Sequence, residues 1–215
     1  MHAVRHMLPE QSIRVTPKPT DRQEVVLGYA GSITAADAFE CLIRALDTAG
    51  WRIAGRQVVL RLMGARYTFE PRGPQRIEYY GWQPVEQAVA LLSTADLLYL
   101  PQPFTAQLRE LAELSFPTKL STYLAAGRPV VLHAPAHASV VPFFRRFPFG
   151  AWCDSLQGAD LLGCFQRLLT DEAAQLAAVG QSHAAVAEEL NQRVFFQRFR
   201  EFLGLPQPLG ERAAA

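Results

Sequence analysis

Residues 96–134 read DLLYLPQPFTAQLRELAELSFPTKLSTYLAAGRPVVLHA, and this stretch decides the fold class. Its two ends, 96–100 and 129–134, are short apolar runs rich in branched and aromatic side chains, the pattern of strands buried on both faces. Between them Pro117 suits the first turn of a helix, and Leu120, Tyr123 and Leu124 follow at helical spacing. Gly127 ends that helix and Arg128-Pro129 leads directly into the second strand. Strand, helix, strand in this order calls for a parallel sheet with helices packed on its faces.

The alternation continues in both directions. Strands are predicted at 25–29, 58–63, 76–80 and 150–154, and helices at 37–46, 84–92, 158–169 and 172–179. One long helix over 182–203, carrying Phe195, Phe199 and Phe202, is predicted to close the chain. The expected fold is therefore α/β, a Rossmann-like doubly wound parallel sheet of about six strands in three α/β/α layers. Residues 25–204 form the expected folded unit. Residues 1–24, with Pro9, Pro17 and Pro19 among polar neighbours, read as a linker or tail, and 205–215 as a second tail.

The chain has 215 residues and a formal net charge of +1, with 49% hydrophobic and 19% charged residues. Such a balance excludes a disordered chain, and it gives no general reason to expect a nucleic-acid partner. No stretch is apolar for long enough to span a bilayer, and the first ten residues lack a signal-peptide pattern, so a cytoplasmic protein with no transmembrane segment is expected. Cys41, Cys153 and Cys164 are widely spaced without a Cys-x-x-Cys pair, which predicts reduced cysteines packed as small hydrophobes. Lys18 and Lys119 are the only lysines; every other basic residue besides histidine is arginine.

In doubly wound sheets ligands bind at the carboxyl ends of the strands, which directs attention to residues 30–36, 81–84, 101–119 and 135–139. Gly28-Tyr29-Ala30-Gly31-Ser32 is neither a dinucleotide fingerprint nor a Walker loop, and Gly-x-Ser-x-Gly and Asp-x-Asp are absent. His133 and His137 flank Pro135 without an acidic or thiol companion, a poor metal set; no metal and no cofactor are expected. The informative residues are Pro117-Thr118-Lys119. Free N–H groups at the start of that helix, the helix dipole and the Lys119 charge together describe an anion site. Thr122 lies four residues after Thr118 and shares its face.

At these residues the sequence resembles the donor-binding, C-terminal domain of GT-B glycosyltransferases, particularly the retaining family-4 group. The likeness rests on residues 116–130, FPTKLSTYLAAGRPV, with Gly28–Ser32, Tyr80-Gly81-Trp82 with Pro84, and residues 95–101 in the same order. The resemblance implies binding of a nucleotide-diphosphate sugar. Lys119 and the amides of the Pro117-Thr118 turn would hold the diphosphate, Gly31 and Ser32 would line the pocket opposite, and Trp82 and Gln83 would lie beside the nucleobase. His133, ending its strand, would approach the donor. Such enzymes need no divalent metal, in keeping with the missing Asp-x-Asp.

Two departures stand out. The group's Glu-x7-Glu pattern would fall on Leu114 and Thr122, neither acidic; Glu113 is one residue off. Thr122 can still hydrogen-bond a ribose hydroxyl, less strongly than a carboxylate. The basic residues that many members carry after the first strand are replaced here by Ser32 and residues 34–38. A GT-B enzyme also closes two domains over its reaction, whereas this chain offers one, so an acceptor-binding domain or subunit is an expected partner. The alternative is a non-catalytic module that keeps the fold for interaction, a reading favoured by the missing acidic pair.

Overall fold

The computed structural model describes Arg5, Met7 and residues 23–64 and 76–205. Apart from these, the tails expected at 1–24 and 205–215 lie outside the described residues. The strands are β1 (Glu24–Gly31), β2 (Arg52–Ile53), β3 (Arg56–Gly64), β4 (Ile77–Tyr79), β5 (Leu97–Pro101), β6 (Val130–His133) and β7 (Gly150–Cys153). The helices are α1 (Ala36–Thr48), α2 (Val85–Ser93), α3 (Arg109–Leu114), α4 (Lys119–Ala125), α5 (Val140–Arg146), α6 (Gly158–Thr170), α7 (Glu172–Glu188) and α8 (Gln192–Phe202).

Six strands are parallel and lie in the order β4-β3-β1-β5-β6-β7. Numbered along the chain these are 3-2-1-4-5-6, the doubly wound order with its reversal between β1 and β5. The predicted sheet is therefore present, with one addition. The two-residue β2 pairs antiparallel with the start of β3 and is too short to leave a periodic signal.

Each face of the sheet carries its own core. On one side Phe39, Leu42 and Leu46 of α1 and Leu161, Phe165 and Leu168 of α6 cover Leu27, Leu60 and Tyr99. On the other, Leu92 of α2, Leu120, Tyr123 and Leu124 of α4, Phe143 and Phe144 of α5 and Ala185 of α7 cover Leu98, Val130 and Leu132. Alternate strand residues feed the two cores, which explains why the strands read as unbroken apolar runs.

The predicted closing helix over 182–203 is two helices. Asn191 makes the break: its side-chain oxygen accepts from the Val194 N–H, and its Nδ2 donates to the carbonyls of Val186 and Ala187. It thus caps the end of one helix and the start of the next. Beside the break, Glu189 accepts from Arg5 at 2.9 Å and Arg198 at 2.6 Å, and from Arg146. A carboxylate with little solvent exposure is stable there because three guanidinium groups surround it. Beyond Asn191, α8 has no buried residue, and Phe196, Phe199 and Phe202 are exposed. No helix among the described residues is long and apolar enough to cross a membrane.

Candidate functional site

The reversal of strand order puts a crevice between the carboxyl ends of β1 and β5. The two strands pair only at Leu27↔Leu97 and Gly28↔Leu98. Beyond Gly28 they part, and a side chain takes over the freed backbone: the Ala30 N–H donates to the Tyr123 hydroxyl at 2.9 Å. Tyr123 is fully buried on α4, so it bolts the end of β1 to the helix that carries Lys119.

Lys119 is the first residue of α4, and Thr118 precedes it as the N-cap. The Lys119 Nζ donates to the Tyr29 hydroxyl at 2.8 Å and to the Ser32 carbonyl at 3.1 Å. It also lies 4.4 Å from the centre of the Tyr29 ring, on the electron-rich face that attracts a cation. Burial lowers the ammonium to about 8 and pushes the Tyr29 phenol well up, so at neutral pH a charged lysine sits on a neutral tyrosine. The lysine stem runs against Gly31, where an added Cβ would stand 3.2 Å from both Cε and Nζ.

Gly31 has φ +110°, a conformation that side chains rarely adopt. Next to it Gly64, at φ +96°, ends β3, and a Cβ there would meet the Gly31 carbonyl oxygen at 3.0 Å. The Gly64 N–H in turn donates to the Gly81 carbonyl at 2.6 Å. β1 and β3 therefore finish in bare backbone and Gly81 follows two residues after β4, so glycines line a floor running from Lys119 past Gly31 and Gly64 to Gly81. Trp82 follows immediately and is 79% exposed, leaving its ring open for stacking. The Gln83 amide donates to the Tyr80 carbonyl at 2.6 Å, which shapes this turn. Gly31→Ala is expected to weaken both the fold and any ligand contact of Lys119, by about 1–2 kcal/mol in unfolding free energy, checked by urea denaturation.

The structure thus gathers Gly31, Ser32, Pro117, Thr118 and Lys119 at the crevice, with Trp82 and Gln83 at the far end of the glycine floor. Thr118 is exposed, Pro117 is buried beneath it, and Thr122 is half-buried one turn further along α4. The Leu120 N–H already donates to the Pro117 carbonyl at 3.0 Å, which leaves the N–H groups of Thr118 and Lys119 without intrahelical acceptors by helix geometry. Pro117 itself contributes shape and no donor.

His133 is placed differently from the expectation that it would approach a ligand. It is fully buried, with Nδ1 2.8 Å from the Tyr99 hydroxyl and Nε2 donating to the Ser155 carbonyl at 2.8 Å. Burial lowers its pKa and keeps the ring neutral. The Tyr99 hydroxyl also reaches the Ala38 carbonyl at 2.8 Å, so the histidine braces α1, β5, β6 and the loop after β7 from below. Both ring nitrogens are thereby engaged within the protein. Glu113, the carboxylate nearest in sequence to the missing acidic position, pairs with Arg109 at 2.8 Å. Leu114 is 82% exposed at the end of α3.

Sequence reading missed Asp37. Its Oδ2 accepts from the backbone N–H groups of Phe104 and Thr105, both at 2.8 Å, and its Oδ1 from Ala38 at 2.8 Å. One carboxylate in the first turn of α1 therefore ties the loop after β5 across the crevice. The usable signal was an acidic residue in a first helical turn, but its partners lie 67 and 68 residues away. Among the described residues no group of three His, Cys, Asp or Glu side chains is placed to hold a metal ion.

No family model matches the chain, and no curated protein matches it by sequence. Solved structures do match its fold. WaaG, a glycosyltransferase involved in lipopolysaccharide biosynthesis, superposes with a TM-score of 0.59 at 16% identity, over 88% of this chain and 49% of that one. An α,α-trehalose 6-phosphate synthase from Burkholderia multivorans gives 0.60 at 14%, over 85% and 42%. HepE from Anabaena, solved in complex with UDP-glucose, gives 0.58 at 15%, over 85% and 49%. The chain spans about half the length of each of these proteins. Its fold is that of one Rossmann-like half of a GT-B glycosyltransferase.

Proposed function

We propose that residues 25–204 are the donor-binding half of a retaining glycosyltransferase, taking a nucleotide-diphosphate sugar and requiring an acceptor-binding domain or subunit for transfer. The observation that carries this reading is Lys119. A desolvated ammonium, held on the Tyr29 ring beside a side-chain-free floor at the sheet's switch point, is costly to the fold and suited to a diphosphate. Lys119 and the N–H groups of Thr118 and Lys119 hold the diphosphate, with Gly31 and Ser32 opposite. Trp82 and Gln83 take the base and Thr122 a ribose hydroxyl, while His133 braces β5 and β6 through Tyr99 and Ser155. The likeness to HepE, whose structure contains UDP-glucose, supports a nucleotide sugar as the ligand.

A thermal-shift screen with UDP-, GDP- and ADP-sugars tests this reading. A rise with one base class supports it; no shift with any of them overturns it and leaves the interaction module. That second reading has its own observation, since exposed Leu114 and the exposed phenylalanines of α8 offer apolar surface.

The Lys119 pKa of about 8 gives the binding a pH signature. The ammonium form predominates below that value and is lost above it, so affinity for a nucleoside diphosphate should be about tenfold weaker at pH 9 than at pH 7. Calorimetry at the two pH values checks this. A flat profile contradicts the assignment of the diphosphate to Lys119.

A further inference from the structure

Arg5 stands well ahead of β1 in the chain, yet its side chain is seated in the folded unit. Its Nη1 donates to the Glu189 Oε2 at 2.9 Å, a partner 184 residues away. The guanidinium carbon lies 5.0 Å from the centre of the Phe116 ring and 5.2 Å from that of Phe143, within reach of a cation–π contact with both. Those two rings meet edge to face at 5.3 Å. One side chain therefore joins the residue just before Pro117-Thr118-Lys119 to α5 and to the break between α7 and α8.

The turn leading into α4 is thus held from two sides. The Ser115 carbonyl accepts the Ser139 hydroxyl at 2.8 Å. Phe116, itself half-buried, packs on the core and lies under the Arg5 guanidinium. The seat of Arg5 is finely balanced. Burial of the guanidinium is unfavourable and its pairing with Glu189 favourable, while Arg198 and Arg146, already paired with the same carboxylate, repel it. Such a contact can open and close while the sheet stays folded, so its population responds to whatever else acts on the same turn.

Building on the reading of Lys119 as the residue that holds a diphosphate, we propose that Arg5 is a positioning residue for that site. Seated on Phe116 and Phe143, it fixes the turn of residues 116–119 in the conformation that presents Lys119. A nucleoside diphosphate on Lys119 in turn favours the seated Arg5. The coupling runs in both directions by the same factor, because both events draw on one turn. Arg5 acts through Phe116, and the segment ahead of β1 thereby sets the affinity of the crevice.

Trypsin reads the seat directly, since it cuts after Arg5 only when that side chain leaves the two rings for the protease's own specificity pocket. The full chain is digested briefly with and without UDP, GDP or ADP, whichever gives the largest thermal shift, and cleavage after Arg5 is followed by mass spectrometry. Saturating nucleotide should slow this cut about fivefold, and Lys119→Met should abolish the protection at the same concentration. By calorimetry, Arg5→Ala should bind the nucleotide about fivefold more weakly, and Arg5→Lys, which keeps the charge, should recover to within about twofold. In a Phe116→Leu background Arg5→Ala should change affinity by less than about twofold, whereas a purely structural role would add its full loss there. Equal affinities of wild type and Arg5→Ala, a cut indifferent to nucleotide, or an undiminished loss in the Phe116→Leu background would each overturn the proposal while leaving Lys119 in place. Normal binding by Lys119→Met would instead overturn the diphosphate reading and this inference with it. Should Phe116→Leu fail to fold, the cleavage rate and the Arg5→Ala affinity decide.

Discussion

Replacing Lys119 with methionine should weaken nucleoside diphosphate binding by about thirtyfold, corresponding to the roughly 1.5–3 kcal/mol of a hydrogen bond to a charged group. The same change should leave the melting temperature unchanged or raise it. Methionine fills the space of the lysine stem against Gly31 and the Tyr29 ring, and it removes the ion whose burial is unfavourable. The pH dependence of stability gives an independent check. With a folded-state value of about 8 against an ordinary 10.5, the unfolded chain binds more protons between these values, so wild-type stability gains with pH across that window. The methionine variant should lack this gain. Calorimetry and thermal melts at pH 7 and pH 10 measure both quantities. Equal affinities would remove Lys119 from the site.

Asp37→Ala should produce the largest loss of stability, about 3 kcal/mol and about 6–12 °C in Tm. The carboxylate accepts three backbone N–H groups, of Ala38, Phe104 and Thr105, and alanine leaves all three without this acceptor. Two of them belong to the loop after β5, so the crevice wall loosens and nucleotide affinity falls with stability. Asp37→Asn keeps one acceptor oxygen and should recover roughly half the loss. A wild-type melting temperature in Asp37→Ala would show that the loop is held by other contacts.

The βαβα order was readable because the parallel strands are apolar on both faces and helices such as α1 and α6 are amphipathic. The sequence pattern places α3 within the 101–119 loop and marks no element over α5. Each is short, and the prolines at 101, 103, 135 and 142 interrupt the periodicity around them. Pro142 is tolerated because it falls in the first turn of α5. The split of the closing helix turns on one side chain, Asn191, which bonds backbone on both sides of the break.

At the site, Lys119 was legible because Pro-Thr-Lys after a buried strand is a local pattern. The contribution of Gly64 was not, since it depends on contact with Gly31 across two strands. Tyr123 read as an ordinary core residue, and only the parting of β1 from β5 gives its hydroxyl a backbone partner. His133 shows the converse. A histidine ending a central strand reads as ligand-facing, yet folding brings Tyr99 and Ser155 to its two nitrogens.

The most direct test is a crystal structure of the chain with UDP, GDP or ADP, whichever gives the largest thermal shift. The account predicts the diphosphate within about 3 Å of the Lys119 Nζ and the N–H groups of Thr118 and Lys119, with the base toward Trp82. A nucleotide bound elsewhere, or no bound nucleotide at millimolar concentration, would contradict it.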